Sequence, residues 1–147
     1  MRTPEDDVLL GLARVVVGIS TRAADQLGAL SVVQLRALTV LRSLGVVNLG
    51  QLAEGMGVTV STASRLVDRL VAAGLVDRRP SPRSRRELAL AVSGQGAAVL
   101  DRYDDLRLVG LRALLDRCAP DRRPGVLAAL GELTGTDAPS TDPAGVR

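Results

Sequence analysis

Asn48-Leu49-Gly50-Gln51-Leu52-Ala53-Glu54-Gly55-Met56-Gly57-Val58-Thr59-Val60-Ser61-Thr62-Ala63-Ser64-Arg65-Leu66-Val67-Asp68-Arg69-Leu70 is the stretch on which the reading of this chain turns. Asn48 caps a short helix, Leu49 to Gly55, and the two glycines around Met56 force a turn. Thr59 then caps a longer helix that ends at Gly74. With successive side chains about 100° apart, Ala63, Leu66, Val67 and Leu70 share one face, which predicts a buried stripe. Ser61 and Arg65 fall opposite, flanked by Thr62, Ser64 and Arg69.

Two helices joined by so tight a turn predict a helix-turn-helix whose second helix leads with its N-terminal half. Short hydroxyl side chains permit close approach to a groove, and a guanidinium forks onto guanine O6 and N7. Gln51 and the start of the preceding helix, with Thr59 at the next cap, are placed to meet a phosphate. On their own, these hydroxyls read equally well as helix caps, and the arginines as partners of Asp68.

The next segment tips the balance. Leu75 to Arg78 and Leu88 to Val92 are predicted as short strands, and Pro80 and Pro82 between them argue against a ladder interior. From the end of the first strand through the connecting tip the chain carries Arg78, Arg79, Arg83, Arg85 and Arg86, with Asp77 and Glu87 the nearest acids on either side. Such a density of like charge favours an anionic partner, and a basic hairpin next to a reading helix predicts a wing laid along a minor groove.

Upstream, Thr3-Pro4 opens a first helix to about Leu27, with Val8, Leu12, Val15, Val16 and Ile19 as its apolar stripe. Ser31 and Gln34 form a capping box for a second helix that runs through Ser43. Downstream, Ser93 caps a fifth helix to about Cys118, in which Leu108, Leu111, Leu115 and Cys118 make a narrow seam suited to another helix. A sixth helix, Arg122 to Leu133, presents Val126, Leu127, Leu130 and Leu133. The expectation is a mainly α fold with a small β-hairpin wing. Residues 1–30 with 94–134 are read as a helical dimerisation region, residues 31–93 as the DNA-binding region, and residues 135–147 as a disordered tail.

Composition sets the outer bounds. The 147 residues are 46% hydrophobic with net charge +3, and all nineteen basic residues are arginine. Phe, Trp and His are absent, which rules out a His-based metal site and disfavours an aromatic-lined pocket. Arg14, Arg22 and Arg36 read as surface charges rather than effector ligands. Cys118, the lone cysteine, sits where a helix dipole works against a thiolate and reads as structural. Asp104 and Asp105 point about 100° apart and cannot converge on one substrate, and no Gly-rich phosphate loop follows a strand, so enzymatic function and cofactors are not expected. An acidic N-terminus and the absence of a long apolar run predict neither a signal peptide nor a membrane span, hence a cytoplasmic protein.

The run Gln51-Leu52-Ala53-Glu54, then Thr59 through Leu70, then Gly74-Leu75-Val76-Asp77-Arg78, resembles the helix-turn-helix and wing entry of the MarR family. That resemblance implies six helices in an interlocked homodimer joined through the first, fifth and sixth, with Val8, Leu12, Val15, Leu108, Leu111, Leu115, Val126 and Leu130 at the interface. It further implies base contacts by Ser61, Thr62, Ser64 and Arg65, and a wing-tip role for Arg86. The implied function is a repressor of transcription that binds a pseudo-palindromic double-stranded DNA operator and is relieved by a small-molecule effector. One departure stands out: Ser84 occupies a position where the family commonly has an acid that braces the arginine. That departure is the best support for the alternative, a winged-helix protein-interaction or effector-binding module with weakened DNA binding.

Overall fold

The structure is a computed structural model that describes residues 1–84 and 86–136. Among these, six α-helices and one hairpin follow in the order α1 (Pro4–Leu27), α2 (Val32–Leu44), α3 (Leu49–Met56), α4 (Val60–Ala72), β1 (Val76–Pro80), β2 (Leu88–Val92), α5 (Gly94–Leu115) and α6 (Arg123–Thr134), the last preceded by a single 3-10 turn, Pro120–Arg122. Two compact units divide the chain, Met1–Val109 and Gly110–Arg147.

The starts of α1 to α4 follow from local chemistry. Thr3, Ser31 and Asn48 each accept the backbone N–H three residues on, while Asp6, Gln34 and Gln51 reach back to the cap N–H, closing three capping boxes. At α1 the Thr3 N–H, 2.8 Å from the Asp6 carboxylate, and then the Thr3 hydroxyl hold that carboxyl below its ordinary value. Thr59 caps α4 through the Thr62 N–H at 3.2 Å.

The core of the first unit lies between α2, α3, α4 and the hairpin. Leu38, Leu41, Leu52, Val67, Leu70 and Leu90 form its centre. A smaller cluster joins Ala23 and Ala24 of α1 to Leu35 and Tyr103. β1 and β2 pair antiparallel from Val76 opposite Val92 to Pro80 opposite Leu88. Val47, in the loop between α2 and α3, adds a bridge to Leu90 on the other edge of β2, with N···O distances of 3.1 and 2.7 Å. Together α2 to α4 and the hairpin make a winged helix-turn-helix. At the start of α5 the backbone packs so closely that a Cβ on Gly96 would overlap the Leu75 carbonyl oxygen.

Beyond other shifts of one or two residues at helix and strand ends, three features differ from the sequence reading. β1 extends to Pro80, two residues further than expected, because it is an outer strand and its terminal position tolerates a missing donor. β2 does not keep its apolar alternation: Leu90 is buried, but Leu88, out toward the hairpin tip, is exposed. α5 stops at Leu115 rather than Cys118, since Arg117 and Cys118 bond back three residues instead of four, tightening the chain into a turn. In the second unit, Arg123 closes this turn by donating to the Cys118 carbonyl at 3.1 Å and pairing with Asp116. The tail beyond Thr136 lies outside the described residues.

Candidate nucleic-acid interface

Helix α4 is the centre of the site. Ala63, Leu66, Val67 and Leu70 are buried on its inner side, while Ser61, Thr62, Arg65 and Arg69 are exposed. Gly57, at φ 67°, turns the chain between α3 and α4 in the left-handed region where a side chain would strain. At the leading end of α4 the Thr59 hydroxyl lies 3.2 Å from that of Ser61 and 2.9 Å from that of Thr62, so three hydroxyls gather at one point. Gln51 commits its side-chain oxygen to the Asn48 N–H at 2.9 Å. Ser64 is half-buried and lines a cleft of about 680 Å³ with Asp68 of α4, Arg78 and Arg86 of the hairpin segment, and the Asn48–Gly50 start of α3.

The arginines divide into two sets. Arg78 donates to the Asp68 carboxylate at 2.6 Å, tying the base of the hairpin to α4. Arg79 reaches Asp77 only at 3.5 Å, on a largely exposed side chain. Arg65, Arg69, Arg83 and Arg86 are exposed and make no ion pair among the described residues. Arg85 lies outside the described residues. Asp68 is thus the partner of Arg78 and leaves Arg65 and Arg69 to other contacts.

The hairpin tip is organised by serines. The Ser81 N–H bonds the Glu87 carbonyl at 2.9 Å, the Ser81 hydroxyl accepts the Arg83 N–H, and the Ser84 hydroxyl accepts the Arg86 N–H, each at 3.2 Å. Ser84, where the resemblance leads one to expect an acid, holds the backbone of Arg86 rather than its guanidinium. These contacts turn the tip with neutral oxygens and leave Arg83 and Arg86 without an ion pair among the described residues.

Several contacts were not foreseen. Arg36 donates to the Met56 carbonyl at 2.8 Å, satisfying the C-terminal end of α3. Arg42 of α2 pairs with Asp101 at 3.0 Å and with Asp104, both on α5, and Arg107 pairs with Asp104 and stacks on Tyr103. The Tyr103 hydroxyl donates to the Ser20 carbonyl of α1 at 3.3 Å. The apolar residues of the outer helices have a different fate. Val8, Leu12, Leu108 and Leu130 are exposed, and Val15, Leu111, Leu115 and Val126 are half-buried. Among the described residues no cluster of His, Cys, Asp and Glu could hold a metal ion, and no single helix is long and apolar enough to cross a membrane.

Residues 30–88, which span α2 through the wing, match the MarR family model. The crystal structure of RV1404 from Mycobacterium tuberculosis is 35% identical, covers 92% of this chain and 94% of that one, and superposes with a TM-score of 0.78. The chain belongs to the MarR family. Apo MarR from Escherichia coli, 19% identical with a TM-score of 0.77 over 90% of this chain and 98% of that one, shares the fold. An uncharacterized HTH-type transcriptional regulator of Bacillus subtilis, YfiV, is 25% identical over 105 residues, which span 71% of this chain and 66% of that protein. MarR family proteins are transcription factors rather than enzymes. The winged helix-turn-helix that the Asn48–Leu70 stretch implies is therefore found both in this structure and in its relatives.

Proposed function

We propose that this MarR family chain is a sequence-specific, double-stranded DNA-binding repressor of transcription. On this reading it works as a homodimer on a pseudo-palindromic operator and is released by a small-molecule effector. One observation carries the reading: Arg65 and Arg69 on α4, and Arg83 and Arg86 at the hairpin tip, are exposed cations without an ion pair among the described residues, on two elements that Asp68 and Arg78 tie together. Isolated guanidiniums at that density repel one another, and a phosphate backbone relieves the repulsion.

In this reading Ser61, Thr62, Ser64, Arg65 and Arg69 face base edges or flanking phosphates, and Arg83, Arg85 and Arg86 grip the backbone beside a minor groove. Arg78 and Arg79 stand at the base of the wing, Arg78 as its brace. Gln51 and Thr59 orient the helix starts toward phosphate. Residues 1–30 and 94–134 supply the dimer interface through Val8, Leu12, Val15, Leu108, Leu111, Leu115, Val126 and Leu130, and the protein works in the cytoplasm. Two-fold symmetry then sets the reading heads about 34 Å apart, one turn of duplex.

The test is a fluorescence-anisotropy titration of the purified protein against duplexes tiled across the DNA flanking its own gene, repeated at several salt concentrations. One duplex should bind far more tightly than the rest, with log K falling linearly in log salt. If all duplexes bind equally weakly at every salt concentration, the repressor reading fails and the protein-interaction or effector module takes its place.

A further inference from the structure

We infer that Val60 reads the C5-methyl group of a thymine in each half-site, an inference that rests on the DNA-binding reading above. Val60 is the first residue of α4 and is 54% exposed. The other large apolar residues of that helix are Leu66, Val67 and Leu70, all buried, and Val71, half-buried. Side chains on a helix lean toward its N-terminus, so the isopropyl group at the first position stands furthest forward of any on the element. In a helix that enters a groove with its N-terminal end leading, this group arrives first.

The surroundings sharpen the assignment. Around it, the Thr59 hydroxyl lies 3.2 Å from that of Ser61 and 2.9 Å from that of Thr62. They partly satisfy each other, and Val60 stands beside them as an apolar group facing water. A β-branched residue at an exposed helix position has little to recommend it on helix propensity alone. Of the chemical features that base pairs present in the major groove, the thymine methyl is the apolar one, and an aliphatic side chain is its natural complement. Removing both groups from water on contact gives a preference that no hydrogen bond supplies.

The experiment uses a duplex enriched from a random-sequence library by the full-length protein, remade with each thymine in turn replaced by deoxyuridine, which removes only the methyl. At one thymine in each half-site the wild-type affinity should fall about fourfold, the ratio that corresponds to burying one methylene-sized group. Val60→Ser should lose that discrimination, while Arg65→Ala, made in parallel, should keep it. Val60→Ile serves as a second variant and should retain the penalty. The inference is overturned if no thymine shows a methyl dependence in a specifically bound duplex, or if Val60→Ser shows the same dependence as wild type. If the library yields no enriched duplex at all, the DNA-binding reading falls, and this inference with it.

Discussion

Helices α4 and α6 are of nearly equal length, 13 and 12 residues, yet only one of them has an inside. In α4 Ala63, Leu66, Val67 and Leu70 form one buried stripe that joins the core shared by α2, α3 and the hairpin, with Val60 at the helix start left exposed. In α6 no residue is buried, and Leu133 remains 77% exposed. The first half of α1 behaves similarly, with Val8 72% exposed, although its second half packs Ile19, Ala23 and Ala24. The winged helix-turn-helix completes its core within one chain, whereas the outer helices carry apolar surface that a single chain leaves in water. Large exposed patches of that kind mark interfaces, which is why the dimer belongs to the proposed function.

Four measurements would break or sharpen this contrast. The largest effect should come from inside the head: Leu38→Ala, at a fully buried site, should lower the free energy of unfolding by about 2–5 kcal/mol. Chemical denaturation of the variant and wild type at matched concentrations would measure it. A loss below about 1 kcal/mol would mean that the core relaxes around the gap and is less self-contained than described. Next, Leu130→Asp should leave the head folded by circular dichroism but shift the protein from dimer to monomer in sedimentation velocity. A variant that sediments unchanged would place the interface elsewhere.

The remaining two concern the arginines. Arg65→Ala should weaken binding to a selected duplex by about 1–3 kcal/mol while hardly changing binding to random DNA, and equal losses on both would contradict a base-reading role. Smallest is the contrast at the wing. Arg83→Ala should reduce the slope of log K against log salt by about 0.9, one phosphate contact. Arg78→Ala should change that slope less, because its charge is already met by Asp68. If both variants flatten the slope equally, the division into paired and unpaired arginines has no functional meaning.

What could be read in the sequence was what neighbours in the chain decide. The caps at Thr3, Ser31, Asn48 and Thr59 each depend on residues no more than three apart, and all four helices start where those residues place them. The buried stripe of α4 follows from helical period alone. What could not be read depends on partners brought together by folding. Asp68 finds Arg78 ten positions on, Arg36 finds the end of α3 twenty positions on, and Arg42 finds α5 about sixty positions on. No acid lies between Asp25 and Glu54, so nothing near Arg36 or Arg42 in the sequence points to a partner, while Arg78 has Asp68, Asp77 and Glu87 all within ten positions and periodicity has no means of choosing among them. Pro80 was misplaced for a related reason: a proline is excluded from a ladder interior, but only the assembled hairpin reveals that this one stands at a ladder end on an outer strand.

The bridge between Asp68 and Arg78 has a further consequence for how binding preference can drift over generations. On the proposed DNA-binding reading, this pair joins the base of the hairpin to the helix beside it, so that a half-site is measured more nearly as one length of duplex than by two probes that adjust separately. A base pair inserted between the two contact regions cannot be accommodated by either element alone. Under the same reading, changes at Val60 or Arg65 exchange one letter for another without disturbing that length. If that reading holds, the molecule acquires a new spelling far more readily than a new spacing.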